Sequence, residues 1–152
     1  MSFIVGRKSL GNLVGVHPLM AACAYKVISE ELKLHDATIF DGVRHVKTQR
    51  YYLSLGRSKT MNSDHLPGRA VDVVPYIEGA PRWDGKRADG SFDEELQRKV
   101  DESFAEINKA MKKVAKKLDI EIVNLYDVAG WDKPHWWIKD TSYDVRKLQH
   151  NL

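Results

Sequence analysis

The stretch Ser63-Asp64-His65-Leu66-Pro67-Gly68-Arg69-Ala70-Val71-Asp72-Val73-Val74 sets a histidine on a turn, follows it with a glycine, and then enters a strand with an aspartate inside it. Val71, Val73 and Val74 supply β-branched bulk for a strand over residues 69–76, and Pro75 is expected to stop it. Alternation puts Ala70, Asp72 and Val74 on one face of that strand. An ionised carboxylate there is costly unless a cation or a metal ion offsets it. Asp72 therefore asks for a partner.

Working outward, apolar residues recur at helical spacing from Pro18 to Leu34, through Leu19, Ala22, Cys23, Val27, Ile28 and Leu32. Residues 37–40 read as a short strand closed by the turn signal Asp41-Gly42, and residues 48–55 as a short helix ended by Gly56. Residues 77–91, rich in Gly, Pro, Asp and Arg, read as an exposed loop. A long helix is expected over residues 92–118, with Phe104, Ile107, Met111, Val114 and Leu118 as its buried stripe. Strands follow at 120–125 and 135–138. Helices and strands do not alternate as βαβ units, which gives an α+β class: a small, mainly antiparallel sheet flanked by helices, with Asp72 directed to a central cleft. With no repeat or linker, residues 1–152 read as one domain.

A second constellation, Gly130-Trp131-Asp132-Lys133-Pro134-His135-Trp136-Trp137, puts another histidine three residues after a carboxylate in aromatic surroundings. Two histidines and one carboxylate are the ligand set of an open catalytic zinc site. A zinc ion held by His65, Asp72 and His135 would polarise a carbonyl and bring the pKa of its water to about 7. Asp132 would then take that water's proton and pass it to a leaving amine. The competing reading is plain: each histidine is a satisfied core residue, and Asp72 pairs with an arginine. The coincidence of two such motifs favours the metal.

Composition limits the rest. At 152 residues with 43% hydrophobic and 30% charged residues, the chain is an ordinary globular protein that can bury a core without disulfides. Cys23, the single cysteine, lies on an apolar helix face and reads as an inert core thiol. No stretch approaches the roughly 20 apolar residues that cross a bilayer, and Arg7, Lys8, Asn12 and His17 interrupt any secretory core. The net charge of +3 comes with acidic residues interleaved nearly everywhere, so Lys112, Lys113, Lys116 and Lys117 read as a solvated helix face, not a nucleic-acid patch.

The pattern Ser-x-His-x-x-Gly-x-Ala-x-Asp followed by Asp-x-x-His-Trp resembles the zinc peptidases that include VanX-like D,D-dipeptidases, D,D-carboxypeptidases and bacteriophage L-alanyl-D-glutamate endolysins. Asp41-Gly42-Val43-Arg44 with Gln49, and then Leu55-Gly56-Arg57-Ser58-Lys59-Thr60, is similar to the endolysin branch in particular. The resemblance runs from about Leu13 to Trp137. It implies one zinc ion on His65, Asp72 and His135, with Asp132 as general base. It also implies an oxyanion-stabilising Arg44, and Gln49 and Ser63 in contact with the substrate peptide. Residue by residue, Arg44 in a surface ion pair, Gln49 facing water and Ser63 capping the turn before His65 are the plainer alternatives. The chain departs from the pattern at His45, Asp64 and Pro67, and by using aspartate where many members have glutamate as the base. His17, His35, His45 and His150 are not needed, although His45 would lie near the cleft, and the loop bearing Trp83, Asp84, Asp89 and Asp93 would cover the groove.

The resemblance further implies a monomeric endolysin acting on bacterial peptidoglycan, made in the host cytoplasm and released to the periplasmic wall by a holin, with no nucleic-acid partner and no stable membrane insertion. Its rivals are a D,D-carboxypeptidase or dipeptidase acting at D-Ala, a non-catalytic zinc-containing wall-binding module and, last, a basic nucleic-acid-binding domain.

Overall fold

The computed structural model describes residues 3–149. Strand β2 (Ala70–Ile77) is the hub of an entirely antiparallel sheet. β1 (Asp36–Asp41) pairs on one side of it. On the other side β5 (His135–Ile138) pairs with residues 70–72 and in turn with β4 (Ile122–Asn124), while β3 (Ala80–Pro81) pairs with Tyr76 and Ile77.

One face of the sheet is the core. Val71 and Val73 of β2, Ile39 of β1 and Trp136 and Ile138 of β5 pack with Met20, Cys23 and Ala24 of α2 (Pro18–Lys26). Ile107, Met111 and Val114 of α4 (Glu94–Lys117) close the layer. The alternation expected for β2 holds: the core takes Val71 and Val73, while Ala70, Asp72 and Val74 take the opposite face. Leu96, Val100 and Phe104 carry the α4 stripe into a smaller cluster with Ile77.

Several boundaries differ from the sequence expectation, each for a local reason. The helix from Pro18 leaves α-geometry at Lys26 and closes with a π-helical turn, Val27–Glu31, whose end is marked by Leu32 N–H donating to Val27 O at 3.0 Å. The Glu106 carboxylate then accepts from the backbone N–H groups of Lys33 and Leu34. Pro75 does not stop β2. Its carbonyl accepts from Arg82 N–H on the side away from β1, and N and O of an extended residue point the same way, so the missing N–H costs the β1 ladder nothing. Residues 77–91 are not wholly loop, because Glu78 (φ 53°) and Gly79 (φ 75°) form the tight turn of a β2–β3 hairpin. α4 starts at Glu94, where the Asp93 side chain accepts from Leu96 N–H.

Besides β3, three helices were not expected: α1 (Arg7–Leu13), α5 (Leu125–Ala129) and α6 (Val145–Gln149). α5 takes over Leu125 from the strand expected at 120–125 and ends on Gly130 in the left-handed conformation. α3 (Val46–Ser54) begins two residues before the expected helix, on His45, whose side chain accepts from Lys47 N–H.

Candidate active site

The sheet register delivers two of the expected ligands side by side. Asp72 of β2 lies directly opposite His135 of β5, so their side chains stand together on the face turned away from the core. His65 arrives from the turn before β2. Gly68 makes that turn possible: its φ is 81°, and a Cβ there would meet Gly15 O at 2.7 Å.

The three side chains share one point. His65 Nε2 and His135 Nδ1 each lie 3.1 Å from Asp72 Oδ1, and 3.1 Å from each other. Donors around one tetrahedral zinc ion at about 2.0–2.2 Å stand roughly 3.3–3.6 Å apart, so a slight opening of this triangle seats the ion. The tautomer agrees. His65 Nδ1 sits 2.7 Å from Gly42 O, and a carbonyl only accepts, so this nitrogen carries the proton and Nε2 turns its lone pair to the triangle. A lone pair facing a carboxylate and a second imidazole needs a proton or a metal ion between them. Among the described residues, His65, Asp72 and His135 form the group that could hold a metal.

The charges are tightly coupled. Burial works to raise the Asp72 pKa, but the His65 and His135 imidazoles outweigh it and hold the carboxyl far below its ordinary value. Burial lowers the His65 pKa, and the Asp72 charge overrides it, leaving the net shift upward. Asp132 stands at the open mouth of the cleft, yet partial desolvation, then the charge of Asp72, raise its pKa. His135, His65 and Arg44 offset this only in part, which also places all of them within electrostatic reach of Asp132. Asn124 steadies the segment that carries it, its Nδ2 donating to Lys133 O at 2.8 Å and to His135 O at 3.2 Å.

The His65–Asp72–His135 triangle and Asp132 line one cleft of about 650 Å³, together with Arg44, Ser63, Asp64, Trp83, Trp131 and Trp137. Arg44 is braced: its Nε and Nη2 donate to Asp41 and its Nη1 to Gln49 Oε1 at 2.6 Å. Three of its five N–H groups are thereby used, and its carbon lies 4.8 Å from the Tyr52 ring centre. Ser63 lines the cleft and also caps the turn, accepting from His65 N–H at 3.3 Å.

Gln49 stands elsewhere. It is completely buried beneath the cleft wall, neither in the cleft nor facing water. Its Nε2 donates to Ser58 Oγ at 2.7 Å and to Thr60 O at 2.5 Å, while its Oε1 serves Arg44. It positions other residues. The remaining histidines have local partners: His17 caps α2 and meets Asp140 at 2.9 Å, His35 faces Glu102 at 3.6 Å, and His45 caps α3. His150 lies outside the described residues. Between β2 and α4, Trp83 lines the cleft, whereas Asp84 and Asp89 bond to Lys86 and Ser91, and Asp93 caps α4. Sequence reading assigned no role to Asp41, Gly42, Arg57 or Lys59, although all four lie in stretches that carry the resemblance.

The chain is similar along most of its length to known peptidases. A family model described as phage L-alanyl-D-glutamate peptidase matches residues 1–145. The L-alanyl-D-glutamate peptidase of Escherichia phage T5 is 29% identical over 147 residues, covering 95% of each chain. The crystal structure of the Serratia marcescens L-Ala D-Glu endopeptidase ChiX superposes with a TM-score of 0.68 at 25% identity, over 88% of this chain and 87% of that one.

Proposed function

The chain belongs to the phage L-alanyl-D-glutamate peptidase family, and from that premise we propose that it hydrolyses the L-alanyl-D-glutamate bond in the stem peptides of bacterial peptidoglycan, as an endolysin using one zinc ion. The observation that carries the zinc reading is the triangle of His65 Nε2, Asp72 Oδ1 and His135 Nδ1 beside Asp132 in a shared cleft. A zinc ion there supplies a Lewis acid, polarising a carbonyl and acidifying water.

The protein's own groups do the rest. Asp132, ionised, accepts a proton from the attacking water and hands it to the leaving amine nitrogen. Arg44 sets a fixed positive charge by the carbonyl oxygen as it becomes anionic, and Asp41 and Gln49 hold the guanidinium so that no reorientation is needed during reaction. Ser63 contacts the peptide from the cleft wall, and the His65–Gly42 hydrogen bond keeps that imidazole turned to the ion.

No helix among the described residues is long and apolar enough to cross a membrane. The proposal includes synthesis in the host cytoplasm and passage to the wall through a holin pore.

Digestion of purified sacculi followed by mass analysis tests the reaction. New amino-terminal D-glutamate is expected, abolished by a chelator and restored by zinc. Release of D-alanine instead would make the chain a carboxypeptidase, and wall binding without cleavage would make it an adhesion module.

A further inference from the structure

We infer that Arg57 and Lys59 form a carboxylate-reading arm of the cleft, one that binds the free carboxylate of the D-glutamyl residue beside the scissile bond; this rests on the peptidase reading above. Glutamate has two carboxyl groups, and a chain that continues through one leaves the other free. A substrate cut at an alanyl–glutamate bond therefore brings an anion within a few bonds of the nitrogen that leaves.

The cleft has one place to receive it. Its carboxylates are engaged or belong to the reaction: Asp41 is paired with Arg44, Asp64 lies 4.0 Å from Arg69, Asp72 belongs to the ligand triangle, and Asp132 is the proposed base. Arg44 is held by Asp41 and Gln49, and the remaining N–H groups of its guanidinium are assigned to the oxyanion. Arg57 and Lys59 line the same cleft and pair with no carboxylate among the described residues. They are its uncommitted cations.

The arm is built, not loose. Tyr52 O accepts from both Arg57 N–H, at 2.9 Å, and Ser58 N–H, at 3.2 Å, tying the start of the segment to α3. The buried Gln49 amide then grips Ser58 Oγ and Thr60 O, on either side of Lys59. One side chain thus fixes both the oxyanion arginine and the backbone that carries the two free cations. Lys59 reaches the facing wall, its Nζ 4.4 Å from the ring centre of Trp131, the residue before Asp132. The amine that Asp132 protonates and the free carboxylate belong to the same glutamyl residue. A cation at Trp131 is on the side of the cleft where that carboxylate arrives.

The experiment compares two stem peptides, one with the free D-glutamyl carboxylate and one with that group converted to a carboxamide. A hydrogen-bonded charge in a partly sheltered cleft gives an expected fall in kcat/KM of about 10–100-fold for the carboxamide with the wild-type enzyme, chiefly in KM. In Arg57→Gln, Lys59→Gln and the double variant the ratio between the two peptides should shrink toward about one, as the partner for the charge is removed. Arg57→Lys and Lys59→Arg should restore most of it. Equal kcat/KM for both peptides with the wild type, or undiminished discrimination in the double variant, overturns the arm and leaves the peptidase reading standing. Failure of the wild type to release D-glutamyl products from sacculi overturns that reading instead, and the arm with it.

Discussion

At Asp132 the backbone turns left-handed, with φ 60°, a conformation that aspartate tolerates better than most residues with a Cβ. His135 N–H closes the turn by donating to Asp132 O at 3.2 Å, so the proposed base and the proposed ligand are set by one short, stiff segment. This arrangement separates their roles. Asp132→Asn keeps the volume and the turn but cannot accept a proton, and it should retain zinc at one ion per chain while turnover falls by about 10²–10⁴-fold. Metal analysis and stem-peptide kinetics on the same preparation check this. Joint loss of metal and activity would make Asp132 a ligand. Chemistry of this kind is legible in sequence because a histidine or a carboxylate in an apolar setting announces an unmet charge. The role of Gln49 was not legible. An amide on a short helix carries no sign of being buried, and its three partners come from positions 44, 58 and 60.

Elements place these residues through contacts that no local pattern displays. Asn12, in α1, donates from Nδ2 to Ile39 O at 2.8 Å and to Phe40 O at 3.2 Å, clamping the helix to the end of β1. Just beyond lies Gly42, whose carbonyl orients His65 and where an added Cβ would stand 1.8 Å from Asn12 O. Gly42→Ala must therefore push α1 and β1 apart at the point that holds His65, a proposed ligand. Overpacking of this sort costs about 1–3 kcal/mol, and loss of such an orienting hydrogen bond weakens metal affinity by roughly 10–100-fold. Denaturant melts and competition with a metal indicator should show both effects together. Unchanged zinc affinity in a destabilised variant would mean that Gly42 does not orient His65. The sequence hides this clamp because Arg7–Leu13 reads Arg-Lys-Ser-Leu-Gly-Asn-Leu, where Ser, Gly and Asn are weak helix formers. Tertiary packing, through Ser9 Oγ on Thr38 and Ile39 N–H as well as Asn12, overrides that preference. β2 and α4 were legible for the opposite reason: a run of valines and a long apolar stripe outweigh local punctuation such as Pro75.

For the whole molecule, core and site lie on opposite faces of one sheet, which decides how metal and fold are linked. The core of Val71, Val73, Trp136 and the α2 and α4 residues includes none of the three proposed ligands, so the chain should fold cooperatively without metal. A ligand at 100 times its Kd stabilises the native state by about 2.7 kcal/mol, and at about 2–4 °C per kcal/mol for a chain of this size the melting temperature should rise by roughly 5–11 °C on adding zinc. Protons compete for the same lone pairs. Because Asp72 overrides burial and raises the metal-free His65 pKa, His65 takes up its proton at a higher pH than an ordinary histidine, and zinc affinity should begin to fall there as pH is lowered. The zinc-dependent increment in melting temperature should accordingly shrink on acidification while the chelated protein's cooperative transition persists. Calorimetry with zinc and with chelator across a pH series measures both. A chelated protein with no cooperative transition near neutral pH would make the ion a structural keystone, and the independence of core and site would be lost.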